Sequence, residues 1–350
     1  MLYAHKRREI PVGDDLMQNT KRAIEIDSGL ALVVTDLHGY RPVYEHIRHF
    51  FMREHAAGRI DRLILCGDLI HHYGAESEDS SLWMLLDVMR LQQELGNDTV
   101  IMLLGNHEMP HIYSTTLSKG PIEFTSRFER ALSEIDQASG GAYRRQIMVF
   151  LQNLPFFVFT RAGVMITHAG ASAALQNAEA ADLFLNFDHS AILRLWDDRL
   201  RQSYPLFVLQ QNEHYVAQAK HFLGVKGTGD SRLAHLLRGQ LLSQNDEHFQ
   251  MLWDLLFTMN ERGELRRTYS QVVDAFLRAV SSVSTYPQRV LVSGHLPVED
   301  GWALVTEKQL RVASLAHALP PDQGKVLLLD CEQPVATATD LLPYLRYTLA

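Results

Sequence analysis

Five short runs in this 350-residue chain place acid, amide and imidazole side chains at the ends of apolar stretches. They are Asp36-Leu37-His38, Gly67-Asp68, Gly105-Asn106-His107-Glu108, Thr167-His168-Ala169-Gly170 and Gly294-His295. Their donors are hard oxygens and borderline imidazole nitrogens, with no thiolate among them. Such a set suits Mn, Fe, Zn or Co in five-coordinate or octahedral geometry better than a closed structural zinc site. A carboxylate shared by two ions would give a two-metal arrangement, with the ions ~3.5–4 Å apart. Taken singly, each run has an ordinary explanation: a capped turn for Asp36 and His38, a turn for Gly67-Asp68, a structural histidine for His168. Five in succession, each terminating an apolar run, have no such common explanation.

The elements that must position these residues are legible as apolar runs. Gly29 to Thr35, Asp61 to Cys66 and Val100 to Leu104 read as buried strands, each stopping just before a polar motif. Val43 to His55 and Leu82 to Leu95 carry helical spacing between them, and Pro121 to Gly140 reads as helical or irregular. Asn153 to Phe159 leads through a hairpin to Val164–Thr167, and Arg289 to Val292 runs into Gly294-His295. Strand patterns resume at Trp302 to Thr306, Leu310 to Ser314 and Lys325 to Leu329. In α/β architectures, loops beyond strand C-termini are where ligands bind. An i, i+2 pair on an extended chain points to one side, so Asp36 and His38 could reach one cation.

Residues 171–286 differ in character. Helix-compatible stretches dominate there, among them Ser231 to Leu242 and His248 to Met259. Because strand-plus-histidine motifs flank it, this region reads as a helical insertion or cap within a single domain spanning 1–350. Its apolar residues Trp253, Leu255, Leu256 and Phe257 read as internal core.

Composition narrows the class. Lys plus Arg number 33 against 41 Asp plus Glu, a formal net charge of −8, which disfavours a basic nucleic-acid wrapper. Scattered aromatics without basic interleaving argue against a single-strand groove, so no stable nucleic-acid partner is expected. The longest nearly apolar stretch, Ile147 to Thr160, is interrupted by Gln152, Asn153 and Pro155 and is too short to cross a bilayer. Residues 1–15 are basic and then polar, unlike a secretory signal. With only Cys66 and Cys331, reduced thiols in a cytoplasmic protein, free of membrane, are the expectation.

Together, the five motifs resemble the successive motifs of the calcineurin-like metallophosphoesterase superfamily, over roughly residues 30–170 and 288–330. The chain looks most similar to its bacterial phosphoprotein phosphatase-like branch, with Asn153-Leu154-Pro155, Leu195-Trp196-Asp197 and Val298-Glu299-Asp300-Gly301 as further points of likeness. The resemblance implies an α+β fold of two packed mixed β-sheets flanked by helices. It implies two divalent metal ions, manganese foremost, with Fe, Zn or Co as alternatives. Asp36 and His38 would hold the first, Asp68 would bridge both, and Asn106, His168 and His295 would complete the second. The implied reaction is phosphomonoester hydrolysis by a metal-bridging hydroxide, with His107 as general acid. Cleavage of a nucleotide phosphodiester or phosphoanhydride, as in diadenosine tetraphosphatases, is the alternative; a non-catalytic phosphate- or nucleotide-binding protein is a more remote one. A small phosphorylated substrate or nucleotide suits a capped site better than a phosphoprotein does.

Three departures from the family pattern matter. Gly294-His295-Leu296-Pro297 lacks the second histidine of Gly-His-x-His, implying a first metal with fewer protein ligands. Gly67-Asp68-Leu69-Ile70 continues as His71-His72-Tyr73 where the phosphatase pattern has Asp-Arg-Gly, and Leu104 stands where an arginine often precedes Gly-Asn-His-Glu. Two guanidinium contacts to phosphate are therefore missing. His72, Arg199, Arg201 and Lys226 are the candidates to replace them. His71 is a candidate to orient His107, and Glu108 to hold its loop through hydrogen bonds.

Overall fold

A computed structural model describes residues 22–349; residues 1–15, read above as unlike a signal segment, lie outside them. Strands follow in chain order as β1 (Ala23–Ile26), β2 (Leu30–Val34), β3 (Arg62–Leu65), β4 (Val100–Met102), β5 (Ser118–Lys119), β6 (Ile122–Glu123), β7 (Phe157–Thr160) and β8 (Val164–Thr167). Then come β9 (Val290–Ser293), β10 (Val298–Glu299), β11 (Trp302–Thr306), β12 (Gln309–Val312), β13 (Ala318–Leu319), β14 (Lys325–Asp330) and β15 (Leu345–Tyr347). Two mixed sheets result, of order β15-β14-β2-β3-β4 and β1-β7-β8-β9-β12-β11. In the first, β2, β3 and β4 are parallel; in the second, β8, β9 and β12 are parallel. Parallel strands bring their C-terminal ends to one edge of the sheet. That is how β2, β3, β4, β8 and β9 deliver all five motifs to one place.

Alternation along the strands builds two cores. Ala31, Val33 and Ile64 of one sheet join Val158, Ile166, Val292 and Val312 of the other in a single buried apolar cluster. Their neighbours Leu32, Val34, Leu63 and Leu65 turn the other way, toward Val43 and Ile47 of α1 (Arg41–Ala56) and Leu85 and Val88 of α2 (Ser81–Leu95). Three helices follow the third motif: α3 (Met109–Tyr113), α4 (Thr125–Ser139) and α5 (Ala142–Asn153).

The expected helical insertion is present. Between β8 and β9 the described elements are helices: α6 (Ala178–Leu185), α7 (His189–Ser203), α8 (Leu206–Gln211), α9 (Glu213–Leu223), α10 (His235–Asn245), α11 (Glu247–Leu256) and α12 (Tyr269–Ser281), with a short 3-10 turn at Glu264–Thr268. Phe184, Leu252, Leu255, Leu256 and Phe276 belong to the same apolar cluster as Phe157 and Met165 of the sheet. The insertion's main core is thus continuous with the sheet's, and Val216, Ala219, Leu223, Val225 and Leu233 form a small separate one. Trp253 and Phe257 are half-buried and stack on each other at 3.9 Å.

One boundary differs instructively. The helix expected from Ser231 starts at His235, because the Asp230 carboxylate accepts from the backbone N–H groups of Lys226 and Arg232. Such local capping competes with helix formation.

Ile166 is fully buried between the sheets, in the strand that ends at His168. Ile166→Ala should cost about 2–5 kcal/mol, because the site cannot collapse around the void. Urea unfolding measures this, and a loss below about 1 kcal/mol would contradict the two-sheet core.

Candidate metal centre

Backbone geometry at the strand ends is unusual. Asp36, His38, Asp68, His71 and His295 all have left-handed φ values, between 44° and 75°. Side chains with a Cβ rarely adopt this region, and such strain collects at functional sites. Asp36 and His38 therefore reach one place through a sharp turn, rather than along the extended chain that their i, i+2 spacing suggested. The loops are then tied together: His38 N–H donates to the Asp68 carbonyl at 2.9 Å, and Gly294 N–H to the His168 carbonyl at 2.9 Å. Gly67 lies so close to the next motif that a Cβ would fall 2.6 Å from the Gly105 Cα. Only glycine permits that approach.

Glu108 acts as a staple. Its carboxylate accepts from the backbone N–H groups of Asp68 (2.9 Å), Leu69 (2.9 Å), Ile70 (3.2 Å) and Gly105 (3.1 Å). Burial pushes its carboxyl up to about 7 despite those donors.

Three groups of donors converge: Asp36 with His38 and His317, His38 with Asp68 and His107, and Asp68 with His168 and His295. Asp68 stands between the clusters. Its Oδ2 is 3.6 Å from His38 Nε2 and its Oδ1 is 3.6 Å from His168 Nε2. The Asn106 Oδ1 joins the second cluster, 2.7 Å from His168 Nε2 and 3.0 Å from His295 Nδ1. Ring orientations are fixed from outside: His38 Nδ1 faces the Ile70 carbonyl at 3.2 Å and His168 Nδ1 the Cys66 carbonyl at 2.9 Å. Each ring thus donates outward and leaves Nε2 for the centre.

The electrostatics fit cations. His38 Nε2, Asp68 Oδ2 and His317 Nδ1 are buried without any hydrogen-bond partner, which is costly unless something else satisfies them. Burial holds His38 down to about 3 and pushes the His168 and His295 rings below their ordinary range. Neutral imidazoles beside two carboxylates are good donors to a divalent ion. Burial, Glu108 and Asp36 raise the Asp68 carboxyl well above its usual value, a strain that positive charge would relieve.

His317 escapes any motif. It lies in the loop after β12, and its Nδ1 is 3.4 Å from Asp36 Oδ1. The signal was topological: Leu310 to Ser314 reads as a strand, and polar residues after a strand end are the pattern of the other five motifs. Beside Asp36 and His38, where Pro297 in place of a second histidine implied fewer protein ligands, His317 places a further nitrogen.

Other candidates lie elsewhere. His72 stacks on Tyr40, with Nδ1 at the His38 carbonyl (3.1 Å) and Nε2 3.6 Å from Glu78. Arg199 lies over Trp196, Arg201 pairs with Asp198, and Lys226 is exposed in the loop after α9. None of these three arginine and lysine side chains joins the donor clusters. His71 faces His107, Nδ1 to Nδ1, at 3.1 Å. The sequence suggests no role for Tyr73 or Lys119, yet the Tyr73 ring lies 4.5 Å from that of His38 and 6.0 Å from that of His107, with Lys119 Nζ 4.7 Å from its centre.

A family model described as calcineurin-like phosphoesterase matches residues 30–244, which include four of the five motifs. The chain belongs to that family. This calcineurin-like phosphoesterase is a metal-dependent enzyme with a metal-binding, phosphatase-type centre. Among solved structures it is similar to a protein serine/threonine phosphatase from Saccharomyces cerevisiae, at 14% identity and TM-score 0.48 over 89% of this chain and 77% of that one. A cold-active protein-tyrosine phosphatase of a psychrophilic Shewanella species shows 13% identity and TM-score 0.47 over 93% and 83%. A metallophosphoesterase from Sphaerobacter thermophilus shows 19% identity and TM-score 0.24 over 46% and 57%. No curated protein matches the chain. Among the described residues no helix is long and apolar enough to cross a membrane.

His317→Ala should weaken binding of one metal equivalent by about 10-fold or more while leaving the other in place. Metal titration followed by calorimetry reads this directly; two unchanged binding steps would remove His317 from the centre.

Proposed function

We propose that this phosphoesterase hydrolyses small phosphomonoesters, with two divalent cations held by Asp36, His38 and His317 on one side and Asn106, His168 and His295 on the other, and shared by Asp68. The observation that carries this reading is the position of Asp68, with one oxygen toward each cluster at 3.6 Å. Manganese is the first candidate, because hard oxygens and imidazoles suit it, and Fe, Zn or Co fit the same donors. When bound, the two cations supply a nucleophilic water and offset charge on the phosphoryl oxygens. The resemblance of the five sequence motifs to those of the phosphoprotein phosphatase branch is what favours a monoester here.

The chain's own residues complete the chemistry. His107 stands beside the centre, its Nε2 3.9 Å from Asp68 Oδ2 and its Nδ1 tied to His71. It gives a proton from Nε2 to the departing alkoxide, and His71 orients it. Tyr73 and Phe124 wall the His107 ring at 6.0 and 5.1 Å and limit access of water. Lys119, whose charge is felt at Asp68, takes the phosphate-facing place of the missing arginines. The insertion restricts the site to small substrates within one domain.

A second reading has one observation in its favour. Arg262, Arg266 and Arg267, with Glu307 and with Arg311 paired to Glu261, line a cavity of about 710 Å³ beside the fifth motif, where Arg262 donates to the Pro297 carbonyl at 2.5 Å and Arg311 to that of Gly294 at 2.9 Å. Such a cationic recess suits the additional phosphates of a dinucleotide.

Manganese-loaded protein assayed on p-nitrophenyl phosphate, bis-p-nitrophenyl phosphate and diadenosine tetraphosphate separates the two. Turnover of the monoester alone, abolished by Asp68→Asn, is expected; preference for the dinucleotide would replace the first reading by the second. His107→Ala should slow phenyl phosphate by about 10²-fold or more, with metal content kept, and p-nitrophenyl phosphate by less. Equal losses on both would remove the general-acid role. Lys119→Ala should raise KM for the monoester by roughly 10-fold, as loss of a charged hydrogen bond does; an unchanged KM would return the phosphate contact to other residues.

A further inference from the structure

On its Nδ1 side, away from Asp68, His107 meets no carboxylate directly, yet it is connected to one. Its Nδ1 lies 3.1 Å from His71 Nδ1, His71 Nε2 lies 2.8 Å from His111 Nε2, and His111 Nδ1 lies 2.9 Å from Glu129 Oε1. The other oxygen of Glu129 accepts from Arg144 Nη1 at 2.6 Å. Four elements build this line: the loop after β3 gives His71, α3 gives His111, α4 gives Glu129 and α5 gives Arg144.

The far end sets its polarity. Two facing ring nitrogens form a hydrogen bond only when one carries a proton and the other does not. An ionised carboxylate can only accept, so His111 holds a proton at Nδ1, and as a singly protonated ring it accepts at Nε2. His71 must then donate from Nε2 and accept at Nδ1, and His107 must donate from Nδ1. One nitrogen remains open, His107 Nε2, on the side facing Asp68.

We propose that Glu129, acting through His111 and His71, is a positioning residue that fixes the proton order of this chain and keeps His107 Nε2 free to take the proton given up by the attacking water and pass it to the departing alkoxide, while the Nδ1 proton stays on the hydrogen bond to His71. The inference rests on the phosphomonoesterase reading of His107. In the reverse order, His71 Nδ1–H would face His107 Nδ1, and His107 could not hold protons on both nitrogens without setting two N–H groups against each other. A reversed tautomer in an intact geometry is enough to cripple a catalytic histidine.

Packing leaves the order no other support. His71, His111 and Glu129 are at most 4% exposed. Phe124 stacks on the His71 ring at 5.3 Å, and Phe128 lies 4.5 Å from that of His111. These rings cover the His71–His111 contact, while a cavity of about 170 Å³ borders His111, Glu129 and Arg144 at the far end of the line. Burial raises the Glu129 carboxyl, but the His111 N–H and the Arg144 guanidinium outweigh it and hold the group below its ordinary range.

Glu129→Gln in the full, zinc-loaded chain tests this. Arg144 will claim the amide oxygen, turning the NH₂ group toward His111 and reversing the chain. Nitrogen-15 NMR of the imidazoles should find the proton of wild-type His71 on Nε2 and that of His111 on Nδ1, and both exchanged in the variant. With metal content and KM unchanged, kcat for phenyl phosphate should fall by about 10²-fold, and for 2,4-dinitrophenyl phosphate by less than about threefold. Wild-type His71 protonated at Nδ1 overturns the proposal even if the variant does not fold. So does a reversed chain with an undiminished phenyl phosphate rate, or an equal loss on both substrates. Wild-type protein with the expected tautomers but no monoesterase activity would instead overturn the reading of its substrate.

Discussion

Everything in this molecule is arranged around a carboxylate that the protein alone leaves unsatisfied. Asp68 is 1% exposed, and its Oδ2 has no hydrogen-bond partner; His38 Nε2 and His317 Nδ1 nearby are buried and equally alone. Burying such groups without compensation costs several kcal/mol. The cost is offset when cations occupy the space between them, because a divalent ion is the strongest local charge such a site can hold. The centre is therefore a destabilised assembly of donors whose stability belongs to the metal-bound state.

Holding those donors apart from one another takes a rigid frame. Two sheets supply it, with parallel strands ending at a common edge and a dry apolar layer between. The loops beyond the strands are then forced into left-handed turns and near-contact of Gly67 with Gly105. Glu108 gathers four backbone N–H groups into one carboxylate, so the second and third motifs move as a unit. Strain of this kind persists only where surrounding packing over-determines it.

Much of this was legible before any coordinates. Apolar runs ending in Asp, Asn or His located β2, β3, β4, β8 and β9, because buried parallel strands read as continuous hydrophobic stretches. The helical insertion was legible from its period, and Glu108 from its place in a loop that needed holding. His317 was not, because it sits among Ala and Leu with no motif, and only hydrogen bonds of Thr35 and Asp36 to Val312, Ser314 and Ala316 across the two sheets bring it to Asp36. Tyr73 and Lys119 were hidden for the same reason: the β5–β6 hairpin that carries Lys119 is two residues per strand, too short for a period. Arg199, Arg201 and Lys226 were chosen by charge, which carries no information about direction. Long-range hydrogen bonding escapes periodicity too: His111 lies in no expected element and Glu129 in a stretch read only as helical or irregular, until folding joins α3 to α4.

One measurement addresses the central claim that Asp68 is shared by two cations. Metal-free protein loaded with two equivalents of manganese and examined by low-temperature electron paramagnetic resonance should give the spectrum of an exchange-coupled pair, with ions ~3.5–4 Å apart. The same loading of Asp68→Asn should give the hyperfine pattern of isolated ions or of free manganese. A wild-type spectrum of isolated, uncoupled ions would contradict the shared carboxylate, and with it the account of the centre.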